Sequence, residues 1–400
     1  MRSDVDGILT ENGLGAALLY SDSSKNANMF YMTGFLAIDP FILLKKVDED
    51  PIMVIGQLEF TRARKEARVK DVRCSTDYDF MRIVKSATDM RAGMMQFVSS
   101  VARKELGTDL QIYVPSNLPA VLADCLRKDG LKIKPTFNII EKARETKEPD
   151  EIEAIKSVQK TVEEATNRVI EFTAKAEIGS EGKLYYREGG KKQVLTVGRL
   201  RPIFDHIFVD RGCVAEDETM IAVGPHGAMG HYAGKPEDIL KANEPILLDI
   251  FPKNIKNRYV TDMARTVVKG RATKETKRMF ETVFQVRNAV MDAIKAGVPG
   301  MEMQLLCYDM FERAGYQTVR GGKQVSKGYN HSLGHGIGLE VHEGPGMGEL
   351  SKSALEAHNV VTIEPSLSDP KIGAVGIEDA VEITSKGFRN LSQMEICLEI

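Results

Sequence analysis

The stretch HSLGHGIGLEVHEGP, from His331 to Pro345, decides how the rest of the chain is read. It sets His331, His335 and His342 among Gly334, Gly336, Gly338 and Gly344, so that imidazoles alternate with residues that let the backbone bend sharply. A helix or a packed core gains little from this composition, because glycine costs conformational entropy on folding and histidine titrates near neutral pH. A metal or catalytic site gains much.

Moving upstream, PILLDIFPKNIKNRYVTDMARTVVKG has the pattern of two strands joined by a basic, turn-forming loop. Asp249 ends an apolar strand. In the second strand, period-two alternation places Asp262 on one face with Val260, Ala264 and Thr266, where a hydrophobe is expected. A buried carboxylate is expensive unless it is paired or holds a metal. For one such aspartate alone, a salt bridge to Arg265 or Arg258 is an equal account.

Downstream, VVTIEPSL ends a β-branched strand on Glu364, and GAVGIEDAVEIT reads as a further strand. Alternation puts Glu378 on one face with Gly376, Ala380 and Glu382, and Asp379 on the other with Val375, Ile377 and Val381. Four strand-borne acids around a Gly-rich histidine stretch form an oxygen-rich set with imidazole. That set suits two borderline divalent ions such as manganese, cobalt, zinc or iron. With shared carboxylates the ions would sit ~3.5–4 Å apart and hold a hydroxide between them.

The whole chain is compatible with such a site. Its 400 residues predict two domains, and 42% hydrophobic with 28% charged residues is ordinary for a soluble globular protein. A net charge of −3 gives no basic field to draw nucleic acid or membrane. The start, MRSDVDGILTENGLG, lacks the basic and apolar blocks of a signal peptide, and no stretch reaches ~18 apolar residues, so a cytoplasmic protein is expected. Five scattered cysteines without a C-x-x-C pair argue against a disulfide framework or a zinc knuckle.

From Gly15 to Thr136 the strand patterns AALLY, MFYMTGF, FILLKKV, PIMVIG, VRCSTD, LQIYV and LKIKPT alternate with helical ones, which predicts an α/β domain over residues 1–140. Residues 141–150, EKARETKEP followed by Asp150, have the composition of an exposed charged connector. A second domain over 151–400 then opens on DEIEAIKSVQKTVEEATNRVIEFT, a long amphipathic helix with Pro149 in its first turn. KETKRMFETVFQVRNAVMDAIKAG predicts another, with Met279, Val283, Val286, Val290 and Ile294 on one face.

The contexts LLDIF, YVTDMART, HSLGHGIGLEVHE, TIEPSL and GIEDAVEIT, in this order, resemble the pita-bread metallopeptidase family of aminopeptidase P, prolidase and methionine aminopeptidase. EKARETKEPDEIEAIK resembles the connector and first helix of the prolidase branch, and residues 1–140 resemble its creatinase-type N-terminal domain. The resemblance implies an α/β N-terminal domain followed by an α+β pita-bread (creatinase/aminopeptidase) catalytic domain. It implies that Asp249 chelates one of two divalent metals, Asp262 and Glu378 bridge both, and His335 and Glu364 complete the coordination of the other metal. His231, in GPHGAMGHYAG, matches the histidine beside the substrate, and His342 the one at the scissile carbonyl, with Glu364 shuttling the proton. His226, five residues before His231, is an alternative substrate-side imidazole. His331 is a supporting group that orients a ligand. His206 and His358 carry no motif.

The implied activity is hydrolysis of the bond between an N-terminal residue and proline, through a hydroxide bridging the metals, in a small peptide with proline second. The implied assembly is a homodimer. Three features depart from the family pattern: a long interval between Asp249 and Asp262; Gly376 where an arginine is usual, with Ser366 where glycine is common; and no arginine between Glu343 and Ile363 to read a dipeptide carboxylate. The alternatives are a metallo-aminopeptidase of other specificity and a non-catalytic homologue that binds peptides or proteins. A creatinase-like amidinohydrolase is weaker, since that branch lacks the metal ligands.

Overall fold

The computed structural model describes residues 4–400, which divide into two compact units, one ending at Arg144 and the other running over Glu145–Ile400. Among the described residues no helix is long and apolar enough to cross a membrane.

The first unit is built on a six-stranded sheet of β1 (Ala16–Ser21), β2 (Phe41–Lys46), β3 (Ile52–Ile55), β4 (Asp71–Cys74), β5 (Gln111–Pro115) and β6 (Lys132–Thr136), in the order β4-β3-β2-β1-β5-β6. β1 and β2, and β2 and β3, run antiparallel, whereas the outer pairs are parallel because helices connect them. Residues of α2 (Met90–Leu106), among them Phe97, Val98 and Val101, cover Leu18, Ile42 and Ile112 in one core, and α1 is the helix Gln57–Glu66. The strand expected over MFYMTGF is instead a helix, Ala27–Thr33. Local capping decides it: the Asn26 side chain accepts from the Met29 N–H at 2.9 Å, and Gly34 closes the other end in the left-handed conformation.

The expected exposed connector is also corrected. Ile140–Glu145 is a helix, α3, and Ala143, Arg144 and Lys147 are buried. Charged composition failed as a guide here because these charges find partners inside the fold.

In the second unit, α4 (Pro149–Ala174) starts with proline and has Asp150 and Glu151 in its first turn, at the positive end of the helix. Its stripe of Val158, Val162, Ala165 and Val169 packs on Ile246, Leu248, Met263 and Val267. The last four belong to β8 (Ile246–Ile250) and β9 (Met263–Val267), which pair antiparallel with each other, while β7 (Met220–Val223) flanks β8. A second core joins α5 (Lys274–Ala293) and α6 (Gly300–Arg313) to β10 (Val360–Ile363), the hairpin β11 (Ser366–Asp369) with β12 (Gly373–Gly376), and β13 (Asp379–Thr384), itself followed by β14 (Gly387–Asn390).

GAVGIEDAVEIT is therefore not one strand. It breaks at Ile377 and Glu378: β12 pairs with β11, whereas β13 pairs with β10 and β14. At the break the Glu378 N–H donates to the Ala264 carbonyl at 3.0 Å, and the Thr266 hydroxyl donates to the Gly376 carbonyl at 3.0 Å. Glu378 is thereby fixed against the strand that follows Asp262.

Candidate metal centre

Each acid arrives from a different strand end. In β8, Leu247 and Asp249 share the cleft-facing side, while Ile246, Leu248 and Ile250 are buried in the core, as period-two geometry requires. Asp262 immediately precedes β9, Glu364 follows β10, and Glu378 lies in the β12–β13 break. His335 comes from the irregular 331–345 segment. The glycines there serve close approach more than bending: a Cβ on Gly334 would stand 2.1 Å from the Thr362 carbonyl oxygen, and one on Gly336 2.1 Å from that of Gly344. Only residues without a side chain let the histidine loop lie against β10.

The five residues expected to bind metal are brought together. Asp262, His335 and Glu378 each offer a ligand atom within 4.8 Å of the others. His335 Nε2 is 3.9 Å from Asp262 Oδ2 and 3.4 Å from Glu364 Oε1, and the Asp249 and Asp262 carboxyls lie close enough to perturb each other. The ring's other nitrogen donates to the Gly336 carbonyl at 3.1 Å, so Nε2 turns its lone pair toward the carboxylates. Thr362 ties the set: its hydroxyl accepts from the His335 N–H at 3.1 Å and donates to Glu364 Oε1 at 3.4 Å.

The electrostatics ask for a cation. Asp249 Oδ1, Asp262 Oδ1 and Glu378 Oε1 are buried without a hydrogen-bond partner. Burial raises the Asp249 carboxyl to about 6 and Glu364 to about 8, the latter also through repulsion from Asp249. Burial and neighbouring carboxylates push Asp262 and Glu378 well above the usual range. Burial lowers His335 to about 4. Orphaned buried oxygens and a neutral imidazole are a donor set that fits divalent metal ions.

Of the two arginines weighed as partners for Asp262, Arg265 turns elsewhere. Arg265 does not meet Asp262; it donates to Asp379 Oδ1 at 2.7 Å and to the Glu378 carbonyl at 2.6 Å, and Arg287 Nε donates to Asp379 Oδ2 at 2.6 Å. This trio behind the acids was missed in the sequence, where the only signal was Asp379 standing on an otherwise apolar face.

His231 and His342 are both exposed and line the cleft, which consists of recesses of about 390 and 750 Å³ that share Asp249, Glu364 and Glu378 in their walls. The rings of His342 and His335 meet edge to face, 4.4 Å apart. His226 stands outside that lining, with its ring against Tyr232 and its Nδ1 3.5 Å from Asp238 Oδ1. Between the two substrate-side alternatives, the cleft contains His231. His331 lines the cleft; its Nδ1 is 2.7 Å from the Ser332 carbonyl and 3.9 Å from Glu364 Oε2, and its Nε2 is 2.6 Å from the Ser366 hydroxyl. Burial lowers it to about 4, so it is a neutral Nδ1–H tautomer that accepts from Ser366. His206 and His358 are exposed. Ser366 and Gly376 are register partners in the β11–β12 hairpin, and a Cβ on Gly376 would stand 3.3 Å from that of Ser366.

A pH dependence follows. Carboxyls whose folded-state values lie above their unfolded ones stabilise the fold at low pH, and that contribution is lost as pH rises through about 6 for Asp249 and about 8 for Glu364. The lowered histidines act oppositely, but only below about 6.5. Stripped of divalent ions, the protein should lose stability from pH 6.5 to 8, by at most about 1.4 kcal/mol per pH unit per group. Manganese-saturated protein should not. Urea midpoints across this range check it, and a flat metal-free profile would refute it.

Compared with known families, residues 153–385 match metallopeptidase family M24 and residues 2–146 match the creatinase/prolidase N-terminal domain. The Xaa-Pro dipeptidase of Pyrococcus horikoshii is 26% identical over 392 residues, covering 97% of this chain and 95% of that protein. Among solved structures, an Xaa-Pro dipeptidase from Bacillus anthracis superposes with a TM-score of 0.79 at 22% identity, over 99% of this chain and 98% of the other. An X-Pro aminopeptidase from Thermotoga maritima gives 0.76 at 21% identity, over 97% and 98%.

Proposed function

The chain belongs to metallopeptidase family M24, and we propose that it is a dinuclear-metal exopeptidase that hydrolyses the bond between an N-terminal residue and a proline in second position. The observation that carries this reading is the cluster of four carboxylates, three of whose buried oxygens lack any partner, around one imidazole nitrogen in an open cleft. Asp249, Asp262, His335, Glu364 and Glu378 would hold two divalent ions, manganese, cobalt, zinc or iron. When bound, such ions acidify a water molecule and polarise the peptide carbonyl.

The chain's own groups supply the rest. Glu364 is partly exposed to the cleft and is the carboxylate placed to accept a proton and pass it to the departing proline nitrogen. His231 and His342, at the exposed side, donate N–H groups to the carbonyl oxygen as it gains charge. His331 is held neutral and faces the cleft as a shaping residue. The non-catalytic alternative is not favoured, because all five donors are retained and converge.

One observation bears on substrate length. Among the described residues, no lysine or arginine lines either recess, whereas Glu216, Asp217, Glu218 and Glu340 do. A free carboxylate on the proline has no cation to meet, which favours peptides extended beyond it. A cytoplasmic homodimer agrees with the resemblance. The test is a panel of Xaa-Pro dipeptides and Xaa-Pro-Xaa tripeptides, assayed with manganese, cobalt and zinc. Tripeptides should be cleaved at the higher kcat/KM; a metal-loaded protein that leaves every Xaa-Pro bond intact would end the proposal.

A further inference from the structure

Lys147 and Glu343, 196 positions apart in sequence, form a buried ion pair with Nζ 2.8 Å from Oε1, their side chains exposing 1% and 4% of their surface. Neither group belongs to the metal-binding set, and a buried pair is a doubtful source of stability, since desolvation offsets most of the attraction. What the pair touches suggests another use.

Glu343 directly follows His342. Its main chain exchanges two hydrogen bonds with Gly336, the residue after His335, each at 3.0 Å. This bridge sets the two imidazoles side by side. The Glu343 carboxylate then accepts from the Leu339 and Glu340 N–H groups, at 3.2 and 3.4 Å, closing the loop between the two histidines. It also fills the space over Gly338, where a Cβ would come within 2.3 Å of Oε1 and 3.1 Å of Lys147 Cε.

Lys147 anchors the other end. Its N–H donates to the His358 carbonyl at 2.9 Å, and the Asn359 side chain donates to the Glu145 carbonyl at 3.0 Å. These residues lead directly into β10, at whose far end stands Glu364. One lysine therefore links the loop carrying His335 and His342 to the strand that presents Glu364.

We propose that Lys147 is a positioning residue: through Glu343 it fixes the spacing of His335 and His342 against Glu364. The proposal rests on reading the cleft as a metallopeptidase site. Removing a support of this kind costs about 10- to 100-fold in activity or metal affinity. In Lys147→Met/Glu343→Gln both charges are gone while the loop N–H groups keep an oxygen acceptor. This variant should melt near the wild-type temperature, lose at least about tenfold in kcat with KM changed little, and bind manganese more weakly by calorimetric titration. Glu343→Asp, which keeps the pair's charge but shortens the tether, should fold and show the same kcat loss. Wild-type kcat and manganese affinity in either variant would overturn the inference; should the double variant not fold, Glu343→Asp decides. A wild-type protein inactive on every Xaa-Pro peptide would instead count against the function, and the manganese titrations would still decide the role of Lys147.

Discussion

Asp262→Asn should abolish peptide turnover, by a factor on the order of 10³ or more, about 4 kcal/mol in the barrier, while leaving the chain folded. Asp262 is the acid that the others surround: repulsion from Asp249 raises it, it faces His335 Nε2 at 3.9 Å, and it raises Glu378 by repulsion. An amide at this place turns N–H groups toward a position that needs oxygen donors, so occupancy by two metals should fall. The metal-free protein should behave in the opposite sense. One of four mutually repelling carboxylates has been removed, so the variant should melt above the wild type in chelator and gain less from added manganese. Metal content, turnover and melting with and without chelator test the three parts together; turnover within tenfold of wild type would remove Asp262 from the centre.

Arg265→Met should have the largest effect on stability. The guanidinium is 3% exposed and serves Asp379, the Glu378 carbonyl and the Ala264 carbonyl, the last at 2.9 Å. Breaking a buried pair by removing one partner costs about 3–5 kcal/mol, because the remaining charge stays desolvated. Arg287 continues to hold Asp379 Oδ2, which places the expected loss at the lower end of that range. The same change takes the donor from the Glu378 carbonyl and leaves its backbone held by the N–H alone, so manganese affinity should fall about 10- to 100-fold. Urea unfolding and metal titration read the two effects separately, and an unchanged midpoint would show that Arg265 is not the brace described.

The fold class was legible because both units obey simple periodicities: alternation in β8, a 3.6-residue stripe on α4, and strand–helix succession around β5 and β6. The two-unit α/β plus pita-bread organisation agrees with the two matched families. The acids and histidines were legible as residue types out of place, carboxylates on apolar strands and imidazoles among glycines. Their convergence was not written in any one segment. The break at Glu378 escaped because period-two alternation continues across it, and only pairing with Ala264 interrupts the strand. Lys147 looked solvated, since its partner lies far along the chain and composition reports on neighbours alone. Met29 to Met32 were misread because apolar residues without polar neighbours suit a strand or a buried helix equally, and the Asn26 cap decided between them.

The facing of Ser366 and Gly376 across one hairpin makes the two positions interdependent. A bulky residue at 376 would press on Ser366 and disturb its bond to His331, whereas glycine at 366 would leave that imidazole nitrogen without its donor. The two positions are thus constrained together: what fits at 376 depends on what stands at 366, and the hydrogen bond to His331 depends on both.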